Sequence, residues 1–360
     1  MLYSHRAEPS PSVNDVRIDV RLLENGEEKA WDDYVYRCPE ASHSHLSGWR
    51  RVIARSYGHR SHYLYVQENG AVKGILPLIG MGNCFFRRSL VSMPFLDDGG
   101  ICADNDQIGS GLFQEALRLY GGEKADFLDL RHRYANNLDS PPGGEKVMMI
   151  LDLLDDPDEM WKRFDAKLRN QVRKASKSGL TAGWSSKEGL SDFYKIFAAN
   201  MRDLGSPVHS HEFFGAILDE FNDSTKIMLV RKDEDVIGGA VCIFFKGSMI
   251  VPWASSLREY FSICPNNLLY WEMIRWGCKS GYQRFDFGRS SPNSGTYRFK
   301  KQWGAKEEPL HWQCVSRKIG RAAMPHADNN EYRWIIKLWS HLPLSFTKFL
   351  GPLVRGHVSS

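Results

Sequence analysis

Apolar and polar residues alternate over residues 16–22 (VRIDVRL), a period of two that predicts a half-buried strand. Residues 27–38 and 49–57 predict two helices. Residues 62–67 and 72–79 read as strands, and Asn69-Gly70 between them is a favoured two-residue turn, so they predict a hairpin. Short apolar runs at 90–94 and 99–103 flank an Asp-Asp-Gly-Gly turn. An amphipathic helix over 108–120 and a strand over 125–130 follow.

Residues 136–146 are rich in Asn, Pro and Gly and predict a junction between two halves. Beyond it, residues 147–151 predict a strand, and 158–178, 190–204 and 210–221 predict helices. Residues 227–231, 236–245 and 248–254 predict three consecutive antiparallel strands. A helix over 266–280 and a closing strand over 284–287 come next, and 302–318 predict one more strand. The first half follows a looser version of the same order. The division predicted is a disordered lead-in (1–15), a first half (16–140), a second half (147–320) and an apolar amphipathic tail (330–356).

That tail differs in kind. Residues 332–354 crowd Trp, Leu, Ile and Phe together, while Lys337, His341, Pro343, Lys348 and Pro352 interrupt them, which argues against a spanning helix. Two readings stand: peripheral contact of 332–354 with a membrane as an in-plane anchor, or packing against the body of the protein.

Composition narrows the class. With 42% apolar and 25% charged residues the chain fits a soluble globular protein. A net charge of +4 on 360 residues is too small to mark the whole molecule as a nucleic-acid binder. Seven cysteines, an odd number without a CxxC pair, read as reduced thiols of a cytoplasmic protein. The His-Ser-His triplets at 43–45 and 209–211 lack partners at zinc-ligand spacing, so turn and cap roles are expected and no metal. The N-terminus lacks the apolar segment of a signal peptide, and the longest apolar run, 236–245, holds two glycines and fits a strand. The expected location is cytoplasmic, with the inner face of the plasma membrane as the place the tail would reach.

Candidate chemistry concentrates in residues 285–305, FDFGRSSPNSGTYRFKKQWGA. A short aromatic strand ends at Gly288, a small-residue loop follows, and Arg289, Arg298, Lys300 and Lys301 lie within a dozen residues. A strand aimed at a cationic loop suits a phosphate-bearing ligand. The predicted helix 158–178 is also basic, with Arg169 and Arg173 four apart on one face, although a charge run is usually a solvated face. Asp104 and Asp106 precede a helix and read as capping residues; Asp97 and Asp98 could bind an acceptor, but Asp-Asp-Gly-Gly reads chiefly as a turn. No serine nucleophile elbow or P-loop is present.

The stretch 285–305 resembles the C-terminal signature of the FemAB-like aminoacyl and acyl transferases of the GNAT superfamily (BioF2-like acetyltransferases). That signature is an aromatic-Asp-aromatic-Gly strand, a small-residue loop, then Tyr, Lys and an aromatic-Gly. Further resembling stretches are SHLSGWRRVI from Ser44, SLVSMPFLDDGG from Ser89, KLRNQVRKASKSG from Lys167, MRDLGSPVHSHEFF from Met201 and PWASSLREYFSICPNNLLYWEMI from Pro252. The subgroup most similar is the FemAB-type proteins associated with exosortase/PEP-CTERM exopolysaccharide systems.

The resemblance implies an α/β (α+β) chain of two tandem GNAT-like halves with mixed, mainly antiparallel sheets. It implies an acyltransferase that moves an aminoacyl or acyl group onto an amine (or hydroxyl) of a peptidoglycan or exopolysaccharide precursor. The donor is aminoacyl-tRNA or, alternatively, acyl-CoA or an acyl carrier protein; the acceptor is a nucleotide- or lipid-linked saccharide or peptide. No cofactor is expected to be tightly bound. A non-catalytic binding module on the same fold is a further alternative.

On this chain the resemblance puts Lys300 at phosphate binding or oxyanion stabilisation. Asp286 is expected to orient Lys300 or accept a proton, a structural salt bridge being the other reading. Arg169, Arg173 and Arg289 are expected to grip phosphates, with Tyr297 and Trp303 shaping the pocket. The glycine-rich pyrophosphate loop of acetyl-CoA-binding GNAT proteins should fall near residues 256–267 (SLREYFSICPNN), which hold no glycine. That departure weakens the case for ordinary CoA binding, although amides after Pro265 still offer an anion a helix N-terminus.

Overall fold

The computed structural model describes residues 18–82, 87–138, 145–316 and 333–358. The predicted lead-in, the start of the first strand and residues 139–144 of the predicted junction lie outside the described residues.

The first half runs β1 (Val20–Leu22), α1 (Glu28–Arg37), α2 (Trp49–Tyr57), β2 (Ser61–Glu68), β3 (Ala71–Met81), β4 (Ser89–Val91), β5 (Cys102–Ala103), α3 (Asp106–Gly122) and β6 (Phe127–His132). Asn69 and Gly70 both adopt positive φ, as the β2–β3 turn requires. Asn105, between the two aspartates singled out above, caps α3 through Ile108 N, while Asp104 pairs with Lys73. The apolar runs 90–94 and 99–103 supply the short strands β4 and β5, and the turn between them folds into the interior.

The second half starts with β7 (Val147–Asp152), α4 (Pro157–Arg163), α5 (Ala166–Lys177), β8 (Leu180–Ser185), α6 (Leu190–Asp203) and α7 (His211–Glu220). It continues with β9 (Thr225–Lys232), β10 (Asp235–Phe245), β11 (Ser248–Ser256), α8 (Pro265–Lys279), β12 (Arg284–Ser290), α9 (Gly295–Lys301), β13 (Lys306–Pro309) and β14 (His311–Ser316). The single helix expected over 158–178 is two helices. Phe164 is extended and buried, and the Asp165 carboxylate accepts from Leu168 N to start α5 afresh.

Each half is built on a seven-stranded sheet. The first has the order β1-β2-β3-β4-β6-β14, with β5 on β3; the second has β13-β7-β12-β11-β10-β9-β8. Residues 284–287 therefore form a central strand and not a closing one, held by β11 on one side and β7 on the other. The strand expected over 302–318 is two strands in different sheets. Pro309 ends β13 in the second sheet, and β14 pairs antiparallel with β6 of the first. The second half consequently does not keep to itself up to residue 320: its last strand completes the first sheet.

One apolar core runs through both halves, joining Trp49, Tyr63 and Phe95 to Phe213, Val241 and Trp253. At its rim Arg51 pairs with Glu220, and Arg55 with Glu212 and Asp219. The Lys246 ammonium donates to the carbonyls of Val35, Cys38 and Ala41 across the same boundary. Such packing fixes the halves against each other, so a site built from both is rigid. The tail forms α10 (Arg333–Ser340) and α11 (Leu344–Arg355), which lie against α6. Among the described residues no helix is long and apolar enough to cross a membrane.

Candidate active site

The second sheet opens at its centre. β11 and β12 are parallel partners only over Ser248–Ile250 and Arg284–Asp286; beyond Asp286 β12 stays with β7 and leaves β11. A strand that parts from its neighbour must satisfy its backbone elsewhere. Here side chains do it. Gly288 N donates to Asp286 Oδ1 at 2.7 Å and Arg289 N to Asp97 Oδ2 at 3.0 Å. The Lys300 ammonium donates to the carbonyls of Gly288 at 3.0 Å and Arg289 at 2.8 Å.

Local sequence explains how Lys300 arrives there. Ser294 accepts from Tyr297 N and starts α9, two turns whose inward face carries Lys300 as its buried residue. Gly288 has a φ of +75°, and a Cβ on it would lie 3.0 Å from Asp97 Oδ2. Gly288→Ala is therefore strained twice, by its backbone and by the carboxylate. We expect it to lower stability by about 1–3 kcal/mol, measured by urea unfolding, with Gly304→Ala, which meets nothing closer than 3.9 Å, as the control for positive φ alone.

Asp97 and Asp98 come from the first half and face the opening. Asp98 accepts from the Ser42 hydroxyl at 2.7 Å, and Arg133, just past β6, ties the halves together. Its guanidinium lies 3.5 Å from Asp286, 3.7 Å from Asp98 and 3.0 Å from Glu308. Burial pushes the Asp286 carboxyl up to about 7, against the pull of Arg133 and the Gly288 amide. Burial likewise lowers Lys300 to about 8, against the attraction of Asp97 and Asp286. Burial opposes charge on Asp98 too, but there Arg133 prevails and the carboxyl sits below its usual value. Two neighbouring carboxyls are thus pushed in opposite directions, Asp98 down by Arg133 and Asp286 up by burial.

Beside Arg133 a small cleft, partly open to solvent, is lined by Glu40, His45, Gly100, His132 and Tyr134 among others. Among the described residues neither ring nitrogen of the buried His132 has a hydrogen-bond partner, and Arg133 Nε has no acceptor. His45 has a structural task, its Nδ1 accepting from Ser42 N in a capping box.

The residues singled out in the sequence divide. Asp286, Arg289 and Lys300 come together, but Asp286 bonds to Arg133 and the Gly288 amide and makes no hydrogen bond to Lys300. Arg289 lies on the Trp312 ring at 5.0 Å and beside Asp97. The four cations of 285–305 are not one patch. The helical repeat of α9 turns Arg298 to the Asn293 carbonyl and Lys301 to Glu307, while Lys300 points inward. Tyr297 also goes outward and donates to Glu307 at 2.5 Å. Trp303 is wholly buried, packed on Phe164 in the core. Arg169 and Arg173 stand on α5; Arg173 lies over Trp161 and bonds Asn170, and neither arginine hydrogen-bonds to the Lys300 cluster. Sequence reasoning missed Arg133. The polar run Arg131-His132-Arg133 at the end of an apolar strand was the available signal. In the turn before α8 no side chain caps the helix, and Cys264 takes a φ of 59° there.

Residues 162–301 match the family model for the acetyltransferase (GNAT) domain. Among solved structures, FemX is similar to it over 81% of this chain and 96% of its own, with 16% identity and a TM-score of 0.63. The C-terminal domain of a candidate lysylphosphatidylglycerol synthetase from Agrobacterium fabrum covers 80% of this chain and 91% of its own, with 14% identity and a TM-score of 0.53. A tandem GNAT protein from the clavulanic acid biosynthesis pathway covers 83% and 98%, with 9% identity and a TM-score of 0.53. No curated protein sequence matches. At these identities the likeness is one of fold: two tandem GNAT-like halves, of which 162–301 is the part the acetyltransferase model matches.

Proposed function

We propose that this GNAT protein is a FemAB-like transferase. It passes an aminoacyl or acyl group to an amine (or hydroxyl) of a cell-envelope peptidoglycan or exopolysaccharide precursor in the cytoplasm. The observation that carries the reading is the opened sheet with Asp286 and Lys300 buried together where β12 parts from β11. An activated ester or thioester needs a deprotonated nucleophile, a cation for the oxyanion and exclusion of water. Asp286, titrating near 7, takes the proton of the attacking amine and returns it to the tRNA hydroxyl or the thiol that departs as the ester C–O or thioester C–S bond breaks. Lys300 has three N–H groups, two of them on carbonyls, and directs the third at the oxyanion. Arg289, and Arg169 and Arg173 of α5, serve phosphates of donor or acceptor. FemX as a structural neighbour supports aminoacyl transfer, and the exosortase/PEP-CTERM association rests on sequence resemblance.

A second reading takes acyl-CoA or an acyl carrier protein as donor, since acyl-CoA is the donor of GNAT acyltransferases. The N-terminus of α8, which starts at Pro265 and carries no side-chain cap, favours it. A third, a binding module without catalysis, is favoured by Lys300 being engaged with two backbone carbonyls.

Incubating the purified chain with charged tRNA or acyl-CoA, with and without candidate amines, separates the three. Acceptor-dependent consumption of one donor is expected, slowed on the order of 10²–10³-fold in Lys300→Met. Saturable binding of charged tRNA that weakens with salt assigns the donor as tRNA. If neither donor binds or reacts, transferase activity is refuted.

A further inference from the structure

The tail helices have two opposed faces, and only one is used. On α11, Thr347, Gly351 and Arg355 are spaced four apart and turn toward the body. Thr347 is buried, a Cβ on Gly351 would meet Val208 Cγ1 at 2.8 Å, and Arg355 Nε reaches His209 Nε2 at 3.1 Å. On α10, Ile336 sits directly against Gly205. Small residues at the contacts bring both helices close in, and that docking leaves the other apolar side chains outside. Phe346, Phe349 and Leu353, one helical stripe, are 47–72% exposed, and Trp334 and Leu338 on α10 are 67% and 58% exposed. Leu204, beside Gly205, adds to the same region at 60%. Apolar side chains gathered like this mark a surface with an occupant.

Charge says which occupant. From Tyr332 to Ser360 there is no Asp or Glu; Arg355 is spent on His209 and Lys348 lies over the Tyr194 ring, which leaves the Lys337 ammonium for the outer side. Lys337 is exposed next to Leu338. At 1.5 Å per residue α10 and α11 are roughly 12 and 18 Å long, too short to cross a bilayer. Pro343, extended at the N-cap of α11, separates the two. Two short helices with aromatic and aliphatic side chains on one side, basic and free of acids, fit the headgroup boundary of an anionic bilayer.

We propose that this face is an in-plane anchor seating the chain on an anionic lipid surface. Trp334, Leu338, Phe346, Phe349 and Leu353 enter the boundary between headgroups and acyl chains, and Lys337 meets the phosphates. The anchor stands independently of which group the enzyme transfers.

Co-sedimentation of the full chain with protein-free vesicles tests it. Wild type is expected to partition onto phosphatidylcholine–phosphatidylglycerol vesicles, more weakly onto phosphatidylcholine alone, and less as salt rises. Phe349→Asp/Leu353→Asp should lower the partition coefficient by about tenfold or more. Both positions point away from the body, so helicity and Tm stay unchanged; a second pair, Trp334→Ser/Leu338→Ser, repeats the test on α10. Absence of wild-type partitioning, or equal partitioning of the variants, overturns the proposal. A wild-type dimer in sedimentation velocity that the variants abolish, without vesicle binding, assigns the face to a second copy and overturns it equally.

Discussion

Asp286→Asn is expected to slow transfer by a factor on the order of 10²–10⁴ and, above neutral pH, to make the chain harder to unfold. The carboxyl is buried, and burial is what raises it to about 7. Arg133 and the Gly288 amide favour its charge, Asp97 and Asp98 oppose it, and Lys300 faces it as a further cation. A carboxyl whose folded value exceeds its unfolded value contributes stability that is full below about pH 4 and lost as pH rises through 7. Keeping it ionised at pH 8 costs the fold on the order of 4 kcal/mol by this linkage. Asn cannot ionise, so the variant gains at pH 8, and the gain shrinks as pH falls from 7 toward 4. Urea titrations at pH 5 and 8 read the stability; single-turnover transfer reads the chemistry, which in wild type should rise with pH through about 7. Intact transfer in a variant less stable at pH 8 would reduce Asp286 to a structural partner of Arg133.

Removing that partner is the second large effect. Arg133→Met withdraws the cation shared by Asp98, Asp286 and Glu308, the first two almost fully buried. Breaking a buried ion pair from one side typically costs about 3–5 kcal/mol, because the remaining charge has no compensation. Asp286 should then titrate higher still, and the rising limb of the pH–rate profile should move to higher pH. Arg133→Lys keeps the charge but loses the planar fork that reaches carboxylates in different directions, so partial recovery is expected. Unfolding by urea and the pH–rate profile measure the two effects separately. A profile that stays in place while stability falls would show that Arg133 holds the halves without tuning Asp286.

Elements set by local signals were readable from sequence. The β2–β3 hairpin announced itself by Asn69-Gly70, the β9–β10–β11 meander by its runs of β-formers, and α8 by Pro265 at its first position. The break between α4 and α5 was missed because the basic residues continue through it; only Phe164 and the cap at Asp165 mark it. Arg133 and the inward role of Asp97 and Asp98 were missed for a different reason. Asp-Asp-Gly-Gly is a turn by local chemistry, and its charges acquire partners only from β12 and β6, far away in the chain.

By itself, then, the sequence determined the periodicities, the caps and turns, and the signature placing Asp286, Gly288 and Lys300 within fifteen residues of one another. These depend on neighbours a few positions apart, where covalent geometry fixes the relation. Tertiary structure alone decided that β12 is central, that β14 completes the first sheet, and that α9 sends Lys300 inward and its flanking cations outward. It also decided that Asp286 is driven up to about 7 while Asp98 is held down. Strand order and burial are collective properties of the packed chain: desolvation of a carboxyl depends on everything within several ångströms, most of it distant in sequence.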